Sequence, residues 1–120
     1  MIRARYSTVL LVLAALVACP LLSPAQHHHR PPGEIPQKAI DVYTYALAHH
    51  APPAGYVGGR AWQNREKNLP RGGTYHEFDV NPKIRGHNRG PERVIIDYDT
   101  GKGWFTGDHY RTFVLIPRGP

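Results

Sequence analysis

Arg93-Val94-Ile95-Ile96-Asp97-Tyr98-Asp99-Thr100-Gly101-Lys102-Gly103-Trp104-Phe105-Thr106 reads as a strand, a turn and a second strand. β-Branched and aromatic residues flank a cluster of Asp, Thr and Gly, and so short a connection joins antiparallel neighbours. Upstream, Tyr75 to Val80 alternates, with Phe78 and Val80 on one face and Tyr75, Glu77 and Asp79 on the other. Asn81-Pro82 stops that strand, and Lys83 to Pro91 is a basic, glycine-containing connection. Downstream, Gly107-Asp108 separates Trp104–Thr106 from a further apolar strand, Tyr110 to Ile116. Before the strands, Ala39 and Ile40, Val42 and Tyr43, and Ala46 and Leu47 recur every three to four residues. That spacing predicts an amphipathic helix over roughly 36–48, ended by Pro52-Pro53. The expected fold is α+β: one N-terminal helix packed on a twisted antiparallel sheet of about three to five strands, with one sheet face on the helix and the other open.

Residues 1–25 read as a signal peptide. Arg3 and Arg5 precede an unbroken apolar run of ten, Val9 to Ala18, and Ser23-Pro24-Ala25 offers small residues for cleavage. A membrane span needs about 20 apolar residues, so this run is too short for one. The expected location is therefore secreted, outside the cell. Leu16-Val17-Ala18-Cys19 also fits the cleavage box of bacterial lipoproteins, so the alternative is a protein anchored by lipid on Cys19. Residues 26–34 contain His27-His28-His29 and Pro31-Pro32 and form a disordered leader, since nothing beside the histidines completes a ligand set. Residues 35–120 are left for a single domain. Cleavage after Ala25 removes Cys19, the one cysteine of the chain, so the mature domain forms no disulfide. It also lowers the formal net charge of +6 by two, leaving a surplus that suits a polyanionic partner.

Four side chains carry the candidate chemistry. Glu77 alternates away from Phe78 and Val80, and Arg93 alternates against Val94 and Ile96, so paired strands place both on the open face. Arg89 lies four residues before Arg93 in the basic connection, and His109 follows the Gly107-Asp108 turn. A carboxylate can take a proton, an imidazole can give one near neutral pH, and two guanidiniums can fork onto phosphate oxygens. No clustered carboxylates suit a Mg²⁺ ion. By themselves these residues also fit a solvated cross-strand ion pair and a surface histidine. Between the helix and the first strand, Arg60 to Pro70 is polar and contains one aromatic, Trp62, the kind of exposed loop in which recognition resides. His49 and His50, in the last helical turn, suit the helix dipole and receive no chemical role.

Trp62-Gln63-Asn64-Arg65-Glu66, Tyr75-His76-Glu77-Phe78, Arg89-Gly90-Pro91-Glu92-Arg93-Val94-Ile95-Ile96 and Thr106-Gly107-Asp108-His109-Tyr110 resemble, in order and spacing, the motifs of the microbial guanyl-specific ribonucleases. These are small secreted enzymes related to barnase, and the likeness is closest to the actinobacterial members. It runs from about Gly55 to Ile116 and implies the microbial ribonuclease fold. It further implies an endoribonuclease that cleaves single-stranded RNA 3′ of guanosine, first to a 2′,3′-cyclic phosphate and then by hydrolysis, without a metal or other cofactor. Glu77 would be the general base and His109 the general acid; Arg89 and Arg93 would hold the phosphate, and Tyr110 would hydrogen-bond to it. The backbone N–H groups of Gln63, Asn64 and Arg65 would meet guanine O6 and N7, Glu66 would accept from N1–H and the amino group, and Trp62 would stack. DNA, lacking the 2′-hydroxyl, would not be cleaved. The resemblance also implies a monomer and a small acidic inhibitor protein of the barstar kind. The alternative is a catalytically inactive RNA-binding or lipid-anchored surface module of the same fold. Three features depart from relatives. No disulfide crosses the domain, Trp62 replaces an often smaller aromatic, and Pro91-Glu92 stands where a relative is more basic, which would weaken binding of the RNA backbone.

Overall fold

The structure, a computed structural model, describes residue 31 and residues 33–119. The signal peptide, Cys19 and the three consecutive histidines lie outside the described residues. One helix, α1 (Gln37–His49), precedes five strands: β1 (Gly58–Ala61), β2 (Tyr75–Asp79), β3 (Arg93–Asp97), β4 (Gly103–Thr106) and β5 (Val114–Leu115). They form one antiparallel sheet in the order β1-β2-β3-β4-β5, a meander in which each strand pairs with its sequence neighbour.

The apolar stripe of α1 is what docks it. Ala39, Val42, Tyr43 and Ala46 are buried with Phe78, Val80, Val94, Ile96, Phe105 and Ile116 in the main core. Two phenols fasten helix to sheet, Tyr98 donating to the Ala46 carbonyl at 2.8 Å and Tyr43 to that of Gly101 at 2.6 Å. The helix stops because His50 turns left-handed (φ 52°) and returns its N–H to Ala46 O, and Pro52 and Pro53 cannot resume it. Asp97 sets the β3–β4 turn by accepting from Thr74 N, Asp99 N and the Thr100 hydroxyl.

The structure corrects three expectations. The face away from the helix is not simply open: Leu69, Tyr75, Ile95 and Trp104 form a second, smaller core there, with Trp62, Tyr110 and Phe113 packed against it. Central β3 is therefore buried on both faces, which explains its nearly continuous apolar run. Second, β1 (Gly58–Ala61) was not expected: its last two residues lie in the segment read as a polar loop from Arg60, and Gly58 and Gly59 hide its strand pattern. Third, the last strand is only Val114–Leu115, since the segment from His109 folds as a turn held by side chains.

Gly103 lets the Tyr43 ring lie against β4, and an added Cβ would run into that ring. Gly103→Ala is expected to destabilise the domain by about 1–3 kcal/mol through overpacking, measured as a lower urea midpoint at unchanged slope.

Candidate active site

The register β2–β3 pairs Glu77 with Ile95 and Asp79 with Arg93, placing all four side chains on the face opposite α1. Asp79, which the sequence reading placed on this face without a role, is the organising group. It is 4% exposed; its Oδ1 lies 3.1 Å from Arg93 Nε and its Oδ2 3.1 Å from Arg89 Nη1. Arg93 is itself buried and donates through Nη1 to the carbonyls of Gly90 and Glu92 at 2.8 and 2.7 Å. The two arginines are thus brought together as expected, by a carboxylate two residues along the strand from Glu77.

Glu77 has two partners. Arg60 Nη2 donates to its Oε1 at 2.8 Å, and the Tyr110 hydroxyl donates to its Oε2 at 2.5 Å. Tyr110, expected on the phosphate, therefore spends its hydrogen bond on Glu77 in this state. Burial, reinforced by the hydrogen bond to Glu77 and its negative charge, pushes the Tyr110 phenol up to about 12, against an opposing pull from Arg93. The phenol stays a donor throughout the neutral range. Arg60 went unnoticed in the sequence because its strand did.

His109 is exposed, and its ring centroid lies 4.8 Å from that of Tyr110. Both residues have left-handed backbones, φ 57° and 70°, a conformation that costs a non-glycine residue about 1–3 kcal/mol. Asp108 holds them there. Its Oδ1 accepts from Thr106 Oγ1, Arg111 N and Thr112 N, its Oδ2 accepts from Thr112 Oγ1, and Thr106 Oγ1 accepts Tyr110 N. His109 N donates to Pro91 O at 3.2 Å, tying the turn to the arginine segment. Burial alone would raise the Asp108 carboxyl, but the hydrogen bonds from Thr112, Thr106 and Arg111 outweigh it and hold it below its ordinary value.

Trp62 to Glu66 line one wall of a pocket of about 380 Å³, with Arg60, Ala61, Glu77 and Tyr110. Trp62 is half-buried: its ring stacks on Tyr110 at 5.8 Å and meets Tyr75 and Phe113 edge-on at 5.8 and 5.6 Å. Asn64, left-handed at φ 48°, is tied to Leu69 by a pair of hydrogen bonds, Nδ2 to the carbonyl at 2.8 Å and Oδ1 from the N–H at 3.1 Å. Its side chain is thus occupied in shaping the loop. Among the described residues nothing accepts from the backbone N–H groups of Gln63, Asn64 and Arg65, and the exposed Glu66 carboxylate has no partner. Glu92, expected to oppose the substrate, instead reaches towards α1, where Lys38 Nζ lies 2.6 Å from it and Asn81 donates at 3.2 Å.

A family profile described as ribonuclease matches residues 23–117. The chain belongs to the ribonuclease family. Over 85 residues the ribonuclease is 39% identical to guanyl-specific ribonuclease Sa of Kitasatospora aureofaciens, covering 68% of this chain and 85% of that protein. Guanyl-specific ribonuclease St of Saccharopolyspora erythraea is 36% identical over 85 residues, covering 68% of this chain and 80% of the relative. The fold matches a crystal structure of ribonuclease Sa2 with guanosine-2′-cyclophosphate at a TM-score of 0.53 and 32% identity, over 70% of this chain and 88% of that one.

Two substitutions test how the site is held. Asp79→Ala leaves a buried guanidinium without its counter-charge and is expected to lower stability by about 3–5 kcal/mol in urea unfolding. For Asp108 the folded value lies below the unfolded one of about 3.9, so its contribution is complete above about pH 4 and is lost as pH falls through the folded value. Asp108→Asn should therefore melt well below wild type at pH 6 and approach it at pH 2, as followed by thermal unfolding across that range.

Proposed function

We propose that the ribonuclease is a secreted, metal-independent endoribonuclease that cleaves single-stranded RNA 3′ of guanosine. The observation that supports this reading best is the single pocket in which three unpartnered N–H donors and the free Glu66 carboxylate stand beside Glu77. Guanine offers two acceptors at O6 and N7 and two donors at N1 and the amino group, the complement of that loop. Adenine carries a donor at the O6 position and lacks the amino group, so it would leave loop groups unpaired. The names of ribonucleases Sa and St, and the guanosine cyclic phosphate bound to Sa2, agree with this assignment.

With the base in the loop, Glu77 takes the proton from the ribose 2′-hydroxyl. The oxygen attacks the 3′-phosphorus while Arg89 and Arg93 hold the equatorial oxygens as their charge grows. His109 protonates the departing 5′-oxygen, leaving a 2′,3′-cyclic phosphate. In the second step His109 takes a proton from water, the water opens the ring, and Glu77 returns a proton to the 2′-oxygen. For Tyr110 to reach the phosphate, its hydroxyl must exchange Glu77 for a phosphate oxygen as substrate binds. The guanidiniums supply positive charge at the phosphate, so no step calls for a metal ion.

Exposed Arg65, Lys67 and Arg71 beside the loop, and Arg85 in the connection before Arg89, surround the site with positive charge. That rim suits the RNA backbone, and it equally suits a small acidic inhibitor protein able to cover the site before export.

Incubating the mature protein with GpU and ApU in EDTA should give cyclic phosphate from GpU only. No product from GpU removes the enzymatic reading, and activity lost to EDTA removes the metal-free mechanism. Glu77→Gln and His109→Gln should each reduce kcat/KM by about 10²–10⁴-fold, whereas Glu66→Ala should act on the GpU-to-ApU ratio.

A further inference from the structure

One wall of the pocket has no part in the proposed reaction. Arg60 leaves the edge strand β1 and reaches Glu77, yet its side chain remains 73% exposed. An exposed ion pair adds only about 0.2–1 kcal/mol, so stability is a weak reason for it. The backbone is nevertheless shaped to deliver it. Gly58 pairs with Phe78 but Arg60 pairs with Glu77, a shift of one residue centred on Gly59, whose φ of 94° favours glycine. In an unshifted ladder Arg60 would lie opposite His76, on the helix side of the sheet. The bulge turns a guanidinium onto the reactive face.

Glu77 consequently stands between two separate sets of positive charge. On the β3 side Arg93 and Arg89 gather on Asp79, while on the β1 side Arg60 reaches Glu77 from a strand roughly 10 Å from β3, two strand spacings away. Of these three arginines, Arg60 lines the pocket that carries the base loop. One of its five N–H donors serves Glu77, and the rest have no partner among the described residues.

We propose that Arg60 binds the phosphate on the 5′ side of the guanosine, a subsite distinct from that of the scissile phosphate. The inference rests on the proposed guanosine-directed cleavage. A guanosine within an RNA strand presents its base, its 2′-hydroxyl, its 3′-phosphate and its 5′-phosphate. The loop takes the first, Glu77 the second, and Arg89 and Arg93 the third. The 5′-phosphate leaves from the far side of the ribose, and among the lining residues outside the 62–66 loop Arg60 is the cation, with a forked donor pair free. Its contact with Glu77 orients the guanidinium before substrate arrives, which reduces the ordering cost of a long exposed side chain.

The test compares kcat/KM for GpU and pGpU with wild type, Arg60→Ala and Arg60→Lys. Wild type should prefer pGpU by about tenfold, the size of one charge-assisted contact at an exposed site. The preference should collapse to near one in Arg60→Ala and survive in part in Arg60→Lys, which keeps the charge but loses the fork. A wild-type ratio near one overturns the proposal. So does an equal fall on both substrates with the ratio preserved, which would make Arg60 a support for Glu77 alone. Failure of wild type to cleave GpU at all would instead strike the proposed reaction. Calorimetric titration with 5′-GMP and guanosine then decides separately: tighter 5′-GMP binding that is lost in Arg60→Ala upholds the subsite, and equal affinities refute it.

Discussion

Asp79 stands between two guanidiniums, and the arrangement of the reactive face follows from that. Burying an arginine costs several kcal/mol unless a counter-charge is buried with it, and Arg93 is 7% exposed. One carboxylate shared by two arginines meets that requirement while leaving the cluster a net positive charge for a phosphate. A second carboxylate there would have neutralised it. Because strand side chains alternate, a residue two positions before Asp79 must emerge on the same face, and that residue is Glu77. The spacing of Glu77 and the guanidiniums gathered on Asp79 is therefore set by the pitch of one strand, which is stiffer than any loop.

Rigidity on that face comes from packing on both sides of β3. The helix side provides the main core, and the smaller cluster of Leu69, Tyr75, Ile95 and Trp104 anchors the two irregular segments of the site. Trp62 and Tyr110 dock on that cluster from the base loop and the histidine turn. This lets consecutive left-handed residues at His109 and Tyr110 persist, since Asp108, Thr106 and the Pro91 carbonyl determine the turn from several directions. In a domain whose described residues contain no cysteine, such side-chain bracing does what a disulfide does elsewhere.

What could be read from the residues was whatever repeats with a period. The helical stripe of Ala39, Val42, Tyr43 and Ala46 and the alternation in β2 and β3 lie where the periods placed them, and Glu77 and Arg93 share a face as the alternation requires. The parts missed are those where local chemistry overrides the period. Gly58 and Gly59 have no side chains to alternate, so β1 and with it Arg60 went unseen. The Tyr110–Ile116 run reads as a strand by composition, but Asp108 captures its first residues into a turn. Asp79 was legible as a same-face neighbour of Glu77. That it faces two arginines depends on the β2–β3 register and on the path of the 83–91 connection, which no local pattern encodes. The contact of Glu92 with Lys38 was hidden for the same reason, since the two lie far apart in the chain.

The stacking of Trp62 on Tyr110 has a consequence for how specificity is expressed. Trp62 opens the base loop, and Tyr110 adjoins His109 and holds Glu77 through its hydroxyl. On the proposed reading, a base seated against Trp62 presses on the same aromatic wall that reaches Glu77 through Tyr110. On that reading a wrong base disturbs Glu77 as well as losing its own hydrogen bonds. In the proposed reaction Tyr110 leaves Glu77 for the phosphate as substrate binds, so binding energy gained at the base helps to free the proton acceptor for the transition state. Discrimination built on such coupling acts on kcat as well as KM, whereas a loop standing clear of the sheet could act on binding alone. The larger indole strengthens that coupling, because it reaches Tyr75 and Phe113 as well as Tyr110 and so fixes the loop to the sheet on three sides.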